Sequence, residues 1–156
     1  MEFEDTLSIG TQKHRLWDLV SDPEVLASSV PGAKEIEKLS ETRYKGTIER
    51  GVGGITLNMD GEVEITELNP PDNLSAKATG EDTKTNSRMD ATALLEMEEV
   101  EEEVTSLSYH VDMEFTGRLA TLGARIVKRK ISSDIDTFFH NIQELAEDGT
   151  EGKHSF

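Results

Sequence analysis

The feature that most constrains this chain is a change of period near residue 117. Upstream, apolar residues recur at every second position. Ile55, Leu57, Met59, Gly61, Val63 and Ile65 alternate with Thr56, Asn58, Asp60, Glu62 and Glu64. Met89, Ala91, Ala93, Leu95 and Met97 form a second set, and Leu107, Tyr109, Val111, Met113 and Phe115 a third. Such alternation marks antiparallel strands with one buried and one wet face. Downstream, Leu119, Leu122, Ile126, Val127, Ile131, Ile135, Phe138, Phe139, Ile142 and Leu145 advance mostly by three or four. They make one apolar face of a helix from about Leu119 to Ala146. At 1.5 Å per residue that helix is roughly 40 Å long, enough to cross a whole sheet. A curved sheet with one dry face must cover that face, and no other segment is long enough to do it.

The remaining elements follow from local signals. A first strand, Glu2 to Ile9, puts Phe3, Leu7 and Ile9 on one face with Asp5 among them. A short helix is expected from Gln12 to Val20, with Thr11 as its N-cap and Leu16, Trp17 and Val20 at helical spacing. Asp22 can cap a second short helix, where Pro23 suits the first turn because its missing N–H costs nothing. Pro31-Gly32 ends it. Shorter strands are expected at Ala33–Leu39, Arg43–Val52 and Leu74–Gly80, with a turn over 69–73 and a solvated acidic hairpin end over 98–103. Gly149 is a stop signal for the long helix. The expected fold is α+β of the helix-grip type: a curved antiparallel sheet wrapped around a long C-terminal helix, with two short helices after the first strand. It occupies residues 1–146, and 147–156 read as a flexible polar tail.

Composition narrows the chemistry. With no cysteine there is no disulfide, no thiol catalysis and no sulfur ligand for a metal, which fits a cytosolic protein. The four histidines, His14, His110, His140 and His154, are not at metal-ligand spacing. No phosphate-binding Gly loop or nucleophile elbow occurs. The start, Met1 to Asp5, is acidic and alternating, unlike a secretory leader, and no apolar run approaches the roughly 18 residues of a membrane span. Asp and Glu number 32 against 16 Lys and Arg, a net charge of -16. Such a chain repels phosphate backbones, so nucleic acid is not an expected partner. The acid excess suits a halophilic surface or, as the alternative, a docking face for a basic partner. Against it, Arg118, Arg125, Lys128, Arg129 and Lys130 cluster, either pairing with nearby carboxylates or forming a docking patch for another protein or a membrane surface.

Several segments resemble the carbon monoxide dehydrogenase CoxG family, within the START/Bet v 1-like (SRPBCC) superfamily. They are Trp17-Asp18-Leu19 with Asp22-Pro23-Glu24; Val30-Pro31-Gly32-Ala33; Tyr44-Lys45-Gly46 leading to Gly51-Val52-Gly53; and Gly117 to Gly123 with Phe138-Phe139. They occur in order across roughly residues 1–146. The resemblance implies a helix-grip fold with a cavity between sheet and helix, and an accessory role beside a molybdenum hydroxylase of the carbon monoxide dehydrogenase type. It implies an apolar ligand, quinone-like (a menaquinone) or lipid-like, no required cofactor, and at most transient contact with the inner face of the membrane.

The inward strand faces suit such a cavity. Methionine adapts to varied apolar shapes, and small residues such as Ala76, Ala78 and Ala91 leave room. The candidate ligand-binding residues are Phe3, Asp5, Trp17, Pro31, Gly32, Tyr44, Arg50, Met59, Met89, Met97, Tyr109, Met113, Leu119, Leu122, Gly123 and Ile126. Gly123 is read inside the helix, permitting close approach. Arg50 faces inward if its strand has no bulge at Gly51, and a buried charge needs a partner: Asp5, or a ligand carbonyl. Two other readings stand beside this one. A cyclase or dehydratase of the same fold would need an acid–base pair in the cavity, with Asp5, Tyr44 and Tyr109 as candidates. A ligand-free recruitment adaptor would have a filled core.

Overall fold

The computed structural model describes residues 1–154, with side chains through Asp148. The elements are β1 (Glu2–Ile9), α1 (Lys13–Val20), α2 (Pro23–Ser29), β2 (Ala33–Lys38), β3 (Arg43–Val52), β4 (Ile55–Asn69), β5 (Asn73–Asp82), β6 (Ser87–Glu101), β7 (Val104–Gly117) and α3 (Ala124–His154). A 3-10 segment, Arg118–Leu122, joins β7 to α3. The seven strands form one antiparallel sheet in the order β1-β7-β6-β5-β4-β3-β2, so β1 and β2 are its two edges. The expected helix-grip arrangement is present: α3 lies on the apolar face, and α1 and α2 close one end.

Local chemistry explains the joints. The Asp22 carboxylate accepts the Glu24 N–H (2.9 Å) at the start of α2, beside Pro23. Helix α1 starts one residue later than expected, with Gln12 at the N-cap and no side-chain cap bond. Thr11 does not cap it. Its side chain is buried and without a hydrogen-bond partner, and its carbonyl accepts the Thr105 hydroxyl (2.8 Å).

The largest difference from the sequence reading is at the head of the long helix. The periodic face begins at Leu119, but α3 begins at Ala124. Gly123 has φ +95 and separates the 3-10 segment from α3. That backbone conformation suits a residue without a side chain, so Gly123 is a joint and not a residue within a helix. Gly117 (φ +78) makes the preceding turn, where a Cβ would collide with the Asn86 carbonyl. One consequence is that Ile126 is 49% exposed rather than part of the covered face. The bounds of α3 run past Gly149, and from residue 149 on the expected tail lies outside the described side chains.

Candidate functional site

Between sheet and α3 lies a half-open cavity of about 240 Å³. Well-packed interiors hold few voids larger than a water, so this space needs a cause. The cause is residue size on the inward faces of the central strands. Register places Gly46 opposite Gly61, Gly61 opposite Gly80, Ala78 opposite Ala91, and Ala76 opposite Ala93. Ile48, Met59, Met89, Met113 and Phe115 form the remaining strand walls, and Ile131, Ile135, Phe138 and Phe139 of α3 close the other side. Part-exposed Pro31, Ile36, Tyr44, Arg50 and Asp134 frame the opening.

The inward polar groups are few. Strand β3 keeps its register with β4 from Arg43 through Val52, so no bulge turns Arg50 outward. Arg50 donates from Nε to Asp134 Oδ2 (3.2 Å) and from Nη2 to Asp134 Oδ1. Lys130 Nζ lies 3.7 Å from the same carboxylate. The expected Asp5–Arg50 pair does not form, because β1 and β3 lie far apart in the sheet. Tyr44 completes the set; loss of water around it and the Glu24 carboxylate push its hydroxyl above the usual value. Lys45, Glu62 and Lys77 also border the cavity, but they pair on the outer face with Glu37, Arg43 and Glu64.

The candidate residues divide by position. Pro31, Tyr44, Arg50, Met59, Met89, Met113 and Leu119 line the cavity. Gly32 (φ +79) stands behind Arg50: a Cβ there would strike the Glu49 carbonyl and lie 3.0 Å from Arg50 Cδ. Phe3, Trp17, Met97 and Tyr109 belong to the filled core instead. Tyr109 stacks on Phe139 with ring centroids 4.1 Å apart. With Asp5, Asp136 and His140 it borders a separate shallow groove between β1 and α3. Burial, with Asp5 and Asp136 close by, raises the Tyr109 hydroxyl. Leu122 and Ile126 lie over the β3–β4 turn, 3.3 and 3.2 Å from the position a Gly53 Cβ would take, and Gly123 faces open space.

Sequence reasoning missed Asp134, Ile36, Ile48, Ile135 and Phe138 as lining residues. Asp134 left a readable trace. Val127, Ile131, Asp134 and Phe138 follow one another by four, three and four, so a carboxylate interrupts the apolar stripe and requires a cation opposite it.

The rim of the cavity is held by buried polar bonds. The Asp82 carboxylate accepts N–H groups from Asn58 (3.0 Å), Lys84 (2.9 Å) and Thr85 (3.4 Å), tying the β5–β6 turn to β4. The Asn58 bond leads in holding its carboxyl below the ordinary value. Ser87 Oγ accepts the Leu119 N–H (3.1 Å), seating the 3-10 segment against β6. Among the described residues no group of carboxylates and histidines could hold a metal ion, and no helix is long and apolar enough to cross a membrane.

The family model for the carbon monoxide dehydrogenase CoxG protein matches residues 6–147. No curated protein matches the chain significantly. Among solved structures, a conserved protein from Geobacillus kaustophilus is similar with a TM-score of 0.85 at 22% identity, over 95% of this chain and 96% of that one. A START superfamily protein from Mycobacterium smegmatis gives 0.68 at 11% identity, over 94% and 97%. An HSP90 activator from Plasmodium falciparum gives 0.57 at 18% identity, over 93% and 95%. At these identities the likeness is one of fold.

Proposed function

The chain belongs to the carbon monoxide dehydrogenase CoxG family, and from that membership and the cavity we infer that it is an accessory protein that binds an apolar ligand. The single observation that carries this reading is the cavity itself. Its walls are apolar, and its size follows from glycine and alanine at paired positions. Pockets for small molecules run to roughly 300–1,000 Å³. The space here, about 240 Å³, suits a ring-sized head group whose tail leaves through the open side.

The ligand proposed is quinone-like or lipid-like, and the enzyme served is a molybdenum hydroxylase of the carbon monoxide dehydrogenase type in the cytoplasm. Arg50 supports an acceptor-bearing head. Asp134 engages its Nε and Nη2, and Nη1 keeps its N–H donors with no partner among the described residues. Asp134 therefore orients Arg50 while free donors remain for a carbonyl oxygen. The protein is read as a carrier and not a catalyst, because Arg50 and Asp134 engage each other and Tyr44 is the only other inward proton-bearing side chain at the cavity.

Native mass spectrometry of protein purified from its own host, with organic extraction of what is bound, tests the reading. A stoichiometric quinone or lipid is expected. Protein that arrives empty and also refuses added menaquinone overturns it.

A further inference from the structure

One end of this acidic molecule is basic and unpaired. Most of its cations have a carboxylate within ion-pair distance, including Lys13, Lys34, Arg43, Arg50, Lys77 and Arg88. Among the described residues, Lys84, Arg118, Arg125, Lys128 and Arg129 have no such partner, and all five are exposed. They share one end of the fold. The β5–β6 turn carrying Lys84 is joined to the 3-10 segment by the bond from Arg118 N–H to the Asn86 carbonyl (3.1 Å). Arg125, Lys128 and Arg129 follow at once on the first turns of α3.

Two further observations sharpen this. The first turn of α3 holds no acidic residue, so its cations add to the positive end of the helix dipole instead of offsetting it. A chain with 32 carboxylates thus leaves its strongest positive field uncompensated. Within the cations sits Ile126, 49% exposed, beside part-exposed Leu122 and above the Gly53-Gly54 turn. A Cβ on Gly54 or Gly123 would meet nothing within 4 Å, so the surface there is a tip and not a groove.

We propose that this end of the molecule docks on an anionic lipid surface, with Lys84, Arg118, Arg125, Lys128 and Arg129 against the head groups and Ile126 and Leu122 entering their apolar boundary. A convex tip of long, flexible cations around an aliphatic centre lacks the shape specificity of a protein interface. It matches a plane that requires only charge and shallow burial. The remaining carboxylates are repelled by the same surface, which fixes the orientation. Docked this way, the cavity end, where Leu119, Val127 and Val52 pack under the tip, lies next to the lipid. The docking does not depend on what the cavity holds.

The test is co-sedimentation of the full chain with vesicles of phosphatidylglycerol and phosphatidylcholine, against phosphatidylcholine alone, at low and raised salt. Binding to the anionic vesicles only, weakened by salt, is expected. The triple variant Arg125→Glu, Lys128→Glu, Arg129→Glu should bind at least about tenfold less, and Ile126→Ser several-fold less. The three glutamates stand where the helix dipole favours them, so loss of binding would not reflect unfolding, and a circular dichroism melt checks this. Reversal of Lys34 and Lys38, at the other sheet edge, should leave binding unchanged. Failure to bind anionic vesicles at low salt overturns the proposal. So does a triple variant that binds as well as the parent, or a patch that ignores vesicles and instead captures an acidic protein.

Discussion

The two halves of the interior share strands, period and faces, yet one is filled and the other is open. At the filled end, Leu74, Leu95 and Leu107 of β5, β6 and β7 meet Leu16, Val20 and Ile142, all at 2% exposure or less. A few residues along the same strands, the inward positions become Ala78, Ala91 and Met113, and the neighbouring strands offer Gly61 and Gly46. The alternation does not change across this boundary; side-chain volume does. A period of two identifies the dry face, and the sizes of the residues on it determine whether that face is filled or hollow.

The contrast predicts unequal costs of truncation. Leu74→Ala removes a side chain with no exposed surface and should cost about 2–5 kcal/mol. Ile48→Ala, on a half-buried cavity wall, should cost less than half as much, because atoms facing empty space have fewer contacts to lose. Urea denaturation of both variants measures this. Equal losses would mean that the two ends are packed alike.

The open end keeps its shape through polar bonds where apolar packing is thin, and Asp82 is the sharpest case. Asp82→Asn should cost about 1–3 kcal/mol, since charge-assisted bonds to three backbone N–H groups are weakened or lost. Because the folded carboxyl is held below its ordinary value of 3.8, the stabilisation is complete above that pH. It falls away as the pH drops from 3.8 through the lower folded value. The gap between parent and variant in a pH series of melts should therefore be constant near neutrality and shrink below about pH 4. A gap that widened in acid would contradict the assignment.

Strand faces, the Asp22-Pro23 start of α2 and the covering helix could be read from the chain because each rests on local spacing. The joint at Gly123 could not: a glycine inside a periodic run has the same appearance whether it continues a helix or breaks it. Pairing across the sheet was equally hidden. Asp5 and Arg50 both have inward parity, but only strand order shows that the sheet keeps them apart and gives Arg50 to Asp134. The cavity was legible in part, through Met59, Met89, Met113 and the alanines. Phe3, Trp17, Met97 and Tyr109 share the same parity and fall in the filled half, since parity carries no information on distance along the strand.

A smaller effect separates the framing ion pair from the packed core. The side chains of Arg50 and Asp134 are 28% and 17% exposed, so water still reaches the pair. Asp134→Ala should cost about 1 kcal/mol, far below Leu74→Ala. Its larger consequence should be on uptake: without Asp134 the Arg50 guanidinium loses its fixed orientation, and menaquinone affinity should fall several-fold. Titration of menaquinone into parent and variant distinguishes the two. A large stability loss with unchanged affinity would make the pair a strut and not an anchor.

The smallest expected change in stability tests the comparison most directly. Ala91 stands opposite Ala78 on β5 and Met113 on β7, with cavity beyond its methyl group. In the filled half, adding three carbons would force neighbours off their rotamers and cost about 1–3 kcal/mol. Here the added carbons enter existing space. Ala91→Leu should change stability by less than about 1 kcal/mol in either direction, since apolar burial offsets the lost side-chain freedom. It should also occupy much of the room available to a head group and lower menaquinone uptake at least tenfold. Denaturation and native mass spectrometry of one variant read both quantities. Unchanged uptake would mean that the ligand does not enter between β5, β6 and β7. A large destabilisation would mean that the hollow half is already filled in solution. A near-neutral fold with lost uptake is the outcome that an interior kept hollow for a ligand requires.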